Sequence, residues 1–352
     1  MILSATQAVS TKCRAMYSKL LKQSDYNFLL EKTGVSQVAD YLKKQTSYSD
    51  VLSEIDESSV HRGQLEHVFK KSLYNDYTKL FRFTTGEFKS GITILYQSLE
   101  TDDIKLLIGS FCRKQLDELK DEELTYLKYH TELDVPAMLE SKTMEALIDK
   151  LKDTHYYKPL QPFVSEQTPN FLKLDKVLDN LDCQKRIAGY KSQLSGSSRE
   201  LALSLCATEI DVRNLFFIYR MKKLYSVPIG DIIANLIPHY HRISIKDFMA
   251  MAECSSLQEV VGMISKTYYG FIFQEGQESI WESNYSDYLY HMHLHNFRTH
   301  SNDIGIIMAY FFLKENDIRN LITIIEGIRY QMPKESIASL LVGNRKRMKH
   351  EE

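Results

Sequence analysis

A five-residue pattern, Asp-(Ile/Val)-(Lys/Arg)-x-Leu, occurs three times at nearly constant spacing. The copies are Asp103-Ile104-Lys105-Leu106-Leu107, Asp211-Val212-Arg213-Asn214-Leu215 and Asp317-Ile318-Arg319-Asn320-Leu321, offset by 108 and 106 residues. Each opens an apolar series at i, i+3, i+4, i+7: Ile104/Leu107/Ile108/Phe111, Val212/Leu215/Phe216/Tyr219 and Ile318/Leu321/Ile322/Ile325. That period places each set on one face of an α-helix. A second marker, Thr-x-Tyr after a helical stretch, falls at Thr46/Tyr48, Thr154/Tyr156 and Thr267/Tyr269, with Thr-to-Asp gaps of 57, 57 and 50 residues. A third joins the last two copies: Pro228/Ile232/Leu236 and Pro333/Ile337/Leu341, where proline suits a first helical turn because its missing N–H costs nothing there.

Two independent markers in one order at one spacing imply three copies of an all-helical unit of about 107 residues. That is too long for a solenoid repeat and long enough for a separate core. The expected division is 1–118, 119–225 and 226–352. Composition agrees with long elements. The chain has 14 glycines and 7 prolines in 352 residues, about 6%, against about 12% on average. An all-β fold, which needs a turn every ~8–12 residues, is excluded. Lys120-Asp121-Glu122-Glu123 marks the first junction. Pro159, Pro162 and Pro169, and then Ser195-Gly196-Ser197-Ser198, mark loops inside the second copy. The basic tail Asn344–Glu352, with Arg345, Lys346, Arg347 and Lys349, reads as a solvated end.

Net charge is −2, so no global field steers nucleic acid, and no nucleic-acid partner is expected. Five scattered cysteines (Cys13, Cys112, Cys183, Cys206, Cys254), without a C-x-x-C pair or a signal-like start, are expected to be reduced thiols of a cytosolic protein. The longest apolar run, Ile304–Leu313, is half the ~20 residues that a spanning helix needs. No phosphate-cradling G-x-x-x-x-G-K-[ST] or G-x-G-x-x-G is present, nor H-E-x-x-H or G-x-S-x-G, so no nucleotide, cofactor or catalytic residue is assigned.

His291, His293 and His295, with His300 nearby, would share a metal only on a strand. On a helix, i and i+2 point about 200° apart, and the surrounding Tyr285, Tyr288, Leu289 and Phe297 fit a helix beside an aromatic core, so no metal site is expected. The 22 tyrosines are expected mainly in cores with hydroxyls at the surface; interface use is the alternative. An Asp heading an apolar helical run complements the macrodipole or caps it. Lys105, Arg213 and Arg319, two residues on, point elsewhere, toward a neighbouring copy. The marker residues Thr46, Tyr48, Asp103, Lys105, Thr154, Tyr156, Asp211, Arg213, Asn214, Thr267, Tyr269, Asp317, Arg319 and Asn320 are therefore read as structural.

The segment Phe311-Phe312-Leu313-Lys314-Glu315-Asn316-Asp317-Ile318-Arg319-Asn320-Leu321 resembles a family signature, as do Arg14-Ala15-Met16…Leu20-Leu21 and Tyr41-Leu42…Thr46-x-Tyr48. Together with Asp211…Asn214 and the threefold repeat, they are similar to the C subunit of the bacterial and archaeal V/A-type ATPases, whose eukaryotic equivalent is the d subunit of the vacuolar ATPase. The first copy departs from the pattern, with Leu106 where Asn214 and Asn320 stand. The resemblance implies a non-catalytic, funnel-shaped protein of three pseudo-threefold-related helical domains, on the cytoplasmic face of a proteolipid membrane rotor ring. The central shaft would enter its wide mouth, and torque would pass through it. A generic helical scaffold, or a helical hydrolase using Asp/His groups between copies, would share the repeat. The scaffold would not associate with a rotor ring, and the hydrolase would need a pocket of perturbed titratable groups.

Overall fold

The computed structural model of the chain describes residues 5–343 except 54, 57–61, 120–123, 125, 128–132, 165–170, 225–226 and 300–302. Among these residues every regular element is helical, as the periodicity requires. The charged stretch 120–123, the basic tail, Pro169 and His300 lie outside the described residues.

The chain divides into two compact units, residues 63–194 and residues 1–62 with 195–352. The second of these begins with α1 (Ala5–Tyr17), α2 (Gln23–Leu29), α3 (Val35–Gln45) and α4 (Ser49–Leu52). The unit formed by residues 63–194 then follows. Its long helices are α5 (Arg62–Phe83), α6 (Gly86–Cys112) and α10 (Phe171–Gln193), and its short ones are α7 (Val135–Leu139), α8 (Met144–Asp149) and α9 (Tyr157–Leu160). Helices α6 and α10 run antiparallel. Gly189 of α10 lies beneath Ile94 and Gly109 of α6 beneath Phe171, and side chains at either glycine would hold the helices apart. The core gathers Ile104, Leu107 and Ile108 of α6 with Met138, Leu147, Ile148, Leu151, Tyr156 and Leu174.

The discontinuous unit resumes with α11 (Gly196–Leu224), α12 (Ile229–Ala234), α13 (Ile245–Glu253), α14 (Leu257–Ser265), α15 (Trp281–Thr299), α16 (Gly305–Arg329) and α17 (Lys334–Leu340). Val212 and Leu215 pack with Phe248, Met251, Val260, Ile264, Tyr269, Phe273 and Trp281. The run Ile304–Leu313 is largely buried in this unit, nearly all of it within α16. No helix of the described residues is long and apolar enough to cross a membrane.

Local chemistry sets the helix starts. Ser244 and Asp247, then Ser256 and Glu259, form reciprocal capping boxes for α13 and α14. Pro228 and Pro333 sit at the N-caps of α12 and α17, and Ile232, Leu236, Ile337 and Leu341 behind them are buried. Two glycines start long helices in a backbone conformation that other residues avoid. Gly86 (φ +56°) and Gly196 (φ +48°) open α6 and α11 in the left-handed region, which a side chain would strain. The loop expected at Ser195–Ser198 thus contracts to Leu194-Ser195, with Ser198 already helical. Pro159 and Pro162 lie in α9 and the 3₁₀ turn after it, tolerated in first turns.

Gly327 of α16 marks a close approach. A Cβ there would stand 2.5 Å from Ile337 Cγ1 of α17. Alanine gains about 1 kcal/mol of helix propensity, but overpacking costs about 1–3 kcal/mol. Gly327→Ala is expected to lower the thermal midpoint, whereas Gly262→Ala in α14, with open space around its Cβ, is expected to hold or raise it.

Candidate functional site

The three marker aspartates lie in the interiors of long helices α6, α11 and α16, not at helix starts. The macrodipole reading therefore does not apply, because the first turn is far from each carboxylate. Each instead accepts hydrogen bonds from another stretch of backbone. Asp103 Oδ2 takes the N–H groups of Tyr126 (2.7 Å) and Leu127 (3.1 Å). Asp211 takes those of His241 (3.1 Å), Arg242 (2.7 Å) and Ile243 (3.3 Å). Asp317 is bonded by the backbone N–H of Leu21 and the hydroxyls of Tyr26 and Tyr48, the last at 3.0 Å. Burial raises all three carboxyls above the usual range, and the donors only partly oppose it. For Asp103 the result is about 6.

The Thr-x-Tyr marker is one hydrogen-bonded turn built three times. Thr46, Thr154 and Thr267 each donate to a carbonyl three or four residues back, at 2.7 Å. Each accepts the N–H of the tyrosine two residues on, at 3.2, 3.2 and 3.3 Å. The turn stops the helix and aims the ring inward. Tyr48, Tyr156 and Tyr269 are fully buried. Their hydroxyls are inside, not at the surface as expected, because each finds a polar partner. Tyr48 donates to Asp317 Oδ2, Tyr269 reaches Asp211 Oδ2 at 3.3 Å, and Tyr156 pairs with Thr101 Oγ1 at 2.9 Å. The tyrosine partner on α6 thus departs from the pattern, as Leu106 does.

Asn214 and Asn320 are two-point clamps on the chain just past the proline-capped helices. Asn214 donates to the Ile237 carbonyl (3.0 Å) and accepts its N–H (2.9 Å). Asn320 does the same to Val342 at the same distances. Leu106 offers neither group. Of the basic markers, Lys105 reaches Asp179 (2.6 Å) and Asp175 (3.2 Å) of α10, which outweigh burial and raise its pKa. Arg213 is half-buried and Arg319 exposed. Each marker carboxylate is occupied by donors and holds another stretch of chain against its helix.

His291, His293 and His295 stand on the continuous helix α15, where alternate residues diverge, and no metal-competent group occurs among the described residues. His293 is buried, with both ring nitrogens unpaired, and stacks on Phe312 at 4.0 Å and 14°. Burial holds its pKa down at about 4, against a weak pull upward from Glu209. No sequence signal pointed to Tyr26 or Thr101, whose roles arise only from contacts across many residues. Lys314, notable in the sequence only for its place in the signature, lies with its ammonium 4.0 Å from the Tyr48 ring centroid.

Two expectations follow. Hydrogen bonds to a charged group contribute about 1.5–3 kcal/mol and neutral ones about 0.5–1.5 kcal/mol. Tyr48→Phe is therefore expected to destabilise most, Tyr269→Phe, with its longer bond, less, and Tyr156→Phe least, by denaturant titration; a largest loss at Tyr156 would contradict this assignment. His293 is neutral when folded and takes a proton more readily when unfolded, so its contribution is intact above pH ~6.5 and is lost as pH falls toward 4, by about 3 kcal/mol. Asp103 slopes the other way between about 4 and 6. The difference between wild type and His293→Phe isolates the histidine: the variant's relative stability should grow as pH falls across that window.

Residues 9–340 match the family described as ATP synthase (C/AC39) subunit. The chain is 25% identical to the C subunit of the A-type ATP synthase of Methanosarcina mazei over 345 residues, covering 94% of this chain and 91% of that one. It is 23% identical to the corresponding A-type ATP synthase protein of Methanocaldococcus jannaschii (95% and 85% covered) and 22% identical to that of Thermococcus kodakarensis (94% and 90%).

Proposed function

The chain belongs to the ATP synthase (C/AC39) subunit family, and from that membership we propose that it is the non-catalytic part that joins the central shaft of a rotary V/A-type ATPase to its membrane rotor ring. Its partners in this reading are the shaft subunits of the soluble motor and the proteolipid ring. It is present in single copy, peripheral, on the cytoplasmic face of the membrane, and passes torque for proton or sodium transport. The same reading carries the expectation of three pseudo-threefold-related repeats forming a funnel.

The observation that carries it is a family match running along nearly the whole chain, which includes all three copies of the Asp and Thr-x-Tyr markers. The physical character of the chain supports it. Packed helices with few glycine hinges resist bending, and backbone clamps at buried Asp103, Asp211 and Asp317 fix short helices against long ones. A junction under torque must not slip, which calls for a total interface well above ~1,000 Å² whose charged contacts set register.

The test is affinity capture of the tagged chain from detergent-solubilised native membranes, with the eluate divided between low and high salt. Ring proteolipid and shaft subunits are expected at low salt, with the shaft lost at high salt. A chain recovered alone from membranes whose rotary ATPase is intact would defeat the proposal.

A further inference from the structure

The three clamps share a spatial order that the chain itself does not follow. In each, a long helix holds a pair of short helices through two points: the aspartate grips backbone ahead of the pair, and the tyrosine after the pair returns to the same long helix. For α6 the pair is α7 and α8, bounded by Tyr126/Leu127 and Tyr156. For α11 it is α13 and α14, bounded by Arg242/Ile243 and Tyr269. In both cases the pair follows its long helix along the chain. For α16 it does not. Asp317 grips Leu21, just ahead of α2, and receives Tyr26 within α2 and Tyr48 just past α3. The last long helix is completed by a stretch far upstream, 269 residues away at Tyr48. Residues 1–62 accordingly cluster with 195–352 and not with the residues that follow them.

We infer that residues 21–52 form a strap that leaves α16 as one unit without unfolding the long helices, with Asp317 as its catch. Three features carry this. The strap is tied together internally: the Tyr41 hydroxyl of α3 donates to Asp25 of α2 at 2.8 Å, and the rings of Phe28 and Tyr41 meet at 4.6 Å. Helix α16 keeps its extensive packing on α15, including the His293–Phe312 stack, when the strap is away. The seam between strap and α16 is incompletely satisfied. A cavity of about 260 Å³ opens there, bounded by Leu21 and Tyr26 on one side and by Asn316 and Asp317 on the other. The Asn316 side-chain oxygen is buried beside it with no hydrogen-bond partner, an expensive condition for a joint. The carboxylate catch is itself buried and raised in pKa, so the contact is specific but not cheap to hold. Sub-global opening of contiguous units is the ordinary consequence of such a seam.

The experiment is amide hydrogen exchange on the full chain, read by mass spectrometry. Amides of α2 and α3 are expected to exchange together, at least about tenfold faster than those of α15 and α16. Tyr48→Phe removes one bond to a buried carboxylate, which should speed strap exchange by about tenfold or more and leave α13 and α14 unchanged. Tyr269→Phe, the same change at a pair tethered along the chain, should leave the strap unchanged. Strap amides that exchange only at the rate of α16, in wild type, would overturn the inference whether or not the variants fold. So would an equal effect of Tyr48→Phe on α2–α3 and α15–α16. The measurement uses the isolated chain, so its outcome is independent of what the protein joins.

Discussion

A buried carboxylate accepting backbone N–H groups is the interaction on which the rest depends. A helix interior is an unusual place for aspartate, since burial penalises its charge and its own helix offers it no free donors. Asp103, Asp211 and Asp317 are tolerated there because each meets donors from a distant stretch of chain: the N–H groups of Tyr126 and Leu127, those of His241, Arg242 and Ile243, and the N–H of Leu21 with the hydroxyls of Tyr26 and Tyr48. Donor and acceptor relieve each other. Removing either leaves the other unsatisfied, so these residues fix where the short helices attach to the long ones.

The clamps are variations on one device, and the variations have local reasons. Where Asn214 and Asn320 stand, the chain past α12 and α17 is drawn in by two hydrogen bonds. Where Leu106 stands, that link is missing and the apolar side chain instead packs against the core of its unit. Tyr156 turns to Thr101 where its counterparts turn to aspartate, so Asp103 is left to two backbone donors, which oppose only part of the rise that burial causes. Asp317 gathers the most side-chain partners, with Lys314 as counter-charge, and it is the clamp that ties together distant parts of the chain.

For a protein proposed to carry torque, these features place stiffness and yield in different elements. Antiparallel long helices packed at glycine contacts, such as α6 on α10, have little freedom to bend. The short-helix pairs share apolar cores with their long helices and are fixed in position by a few buried polar points. The strap is the one pair that does not follow its long helix along the chain, so it is held there by side-chain contacts rather than by a short connection.

Much of this was legible in the residues. The all-helical class followed from an i, i+3, i+4, i+7 period and few turn formers, which are local properties of the chain. The recurrence of Asp, Thr-x-Tyr and Pro-x-x-x-Ile marked the elements that pack alike, and the family resemblance rested on some of these residues together with others, such as Arg14-Ala15-Met16 and Phe311–Lys314. Periodicity also explains why His291, His293 and His295 cannot meet, since a helix fixes their directions. Tertiary structure alone decided what the markers hold. A residue's spacing reports its own helix face, while the partner of a buried polar group is set by whatever backbone lies opposite. Hence Asp317 and Tyr48 looked like members of different copies in the sequence and are one clamp in the fold. Tyr26 carried no signal because its hydroxyl matters only once Asp317 is buried beside it.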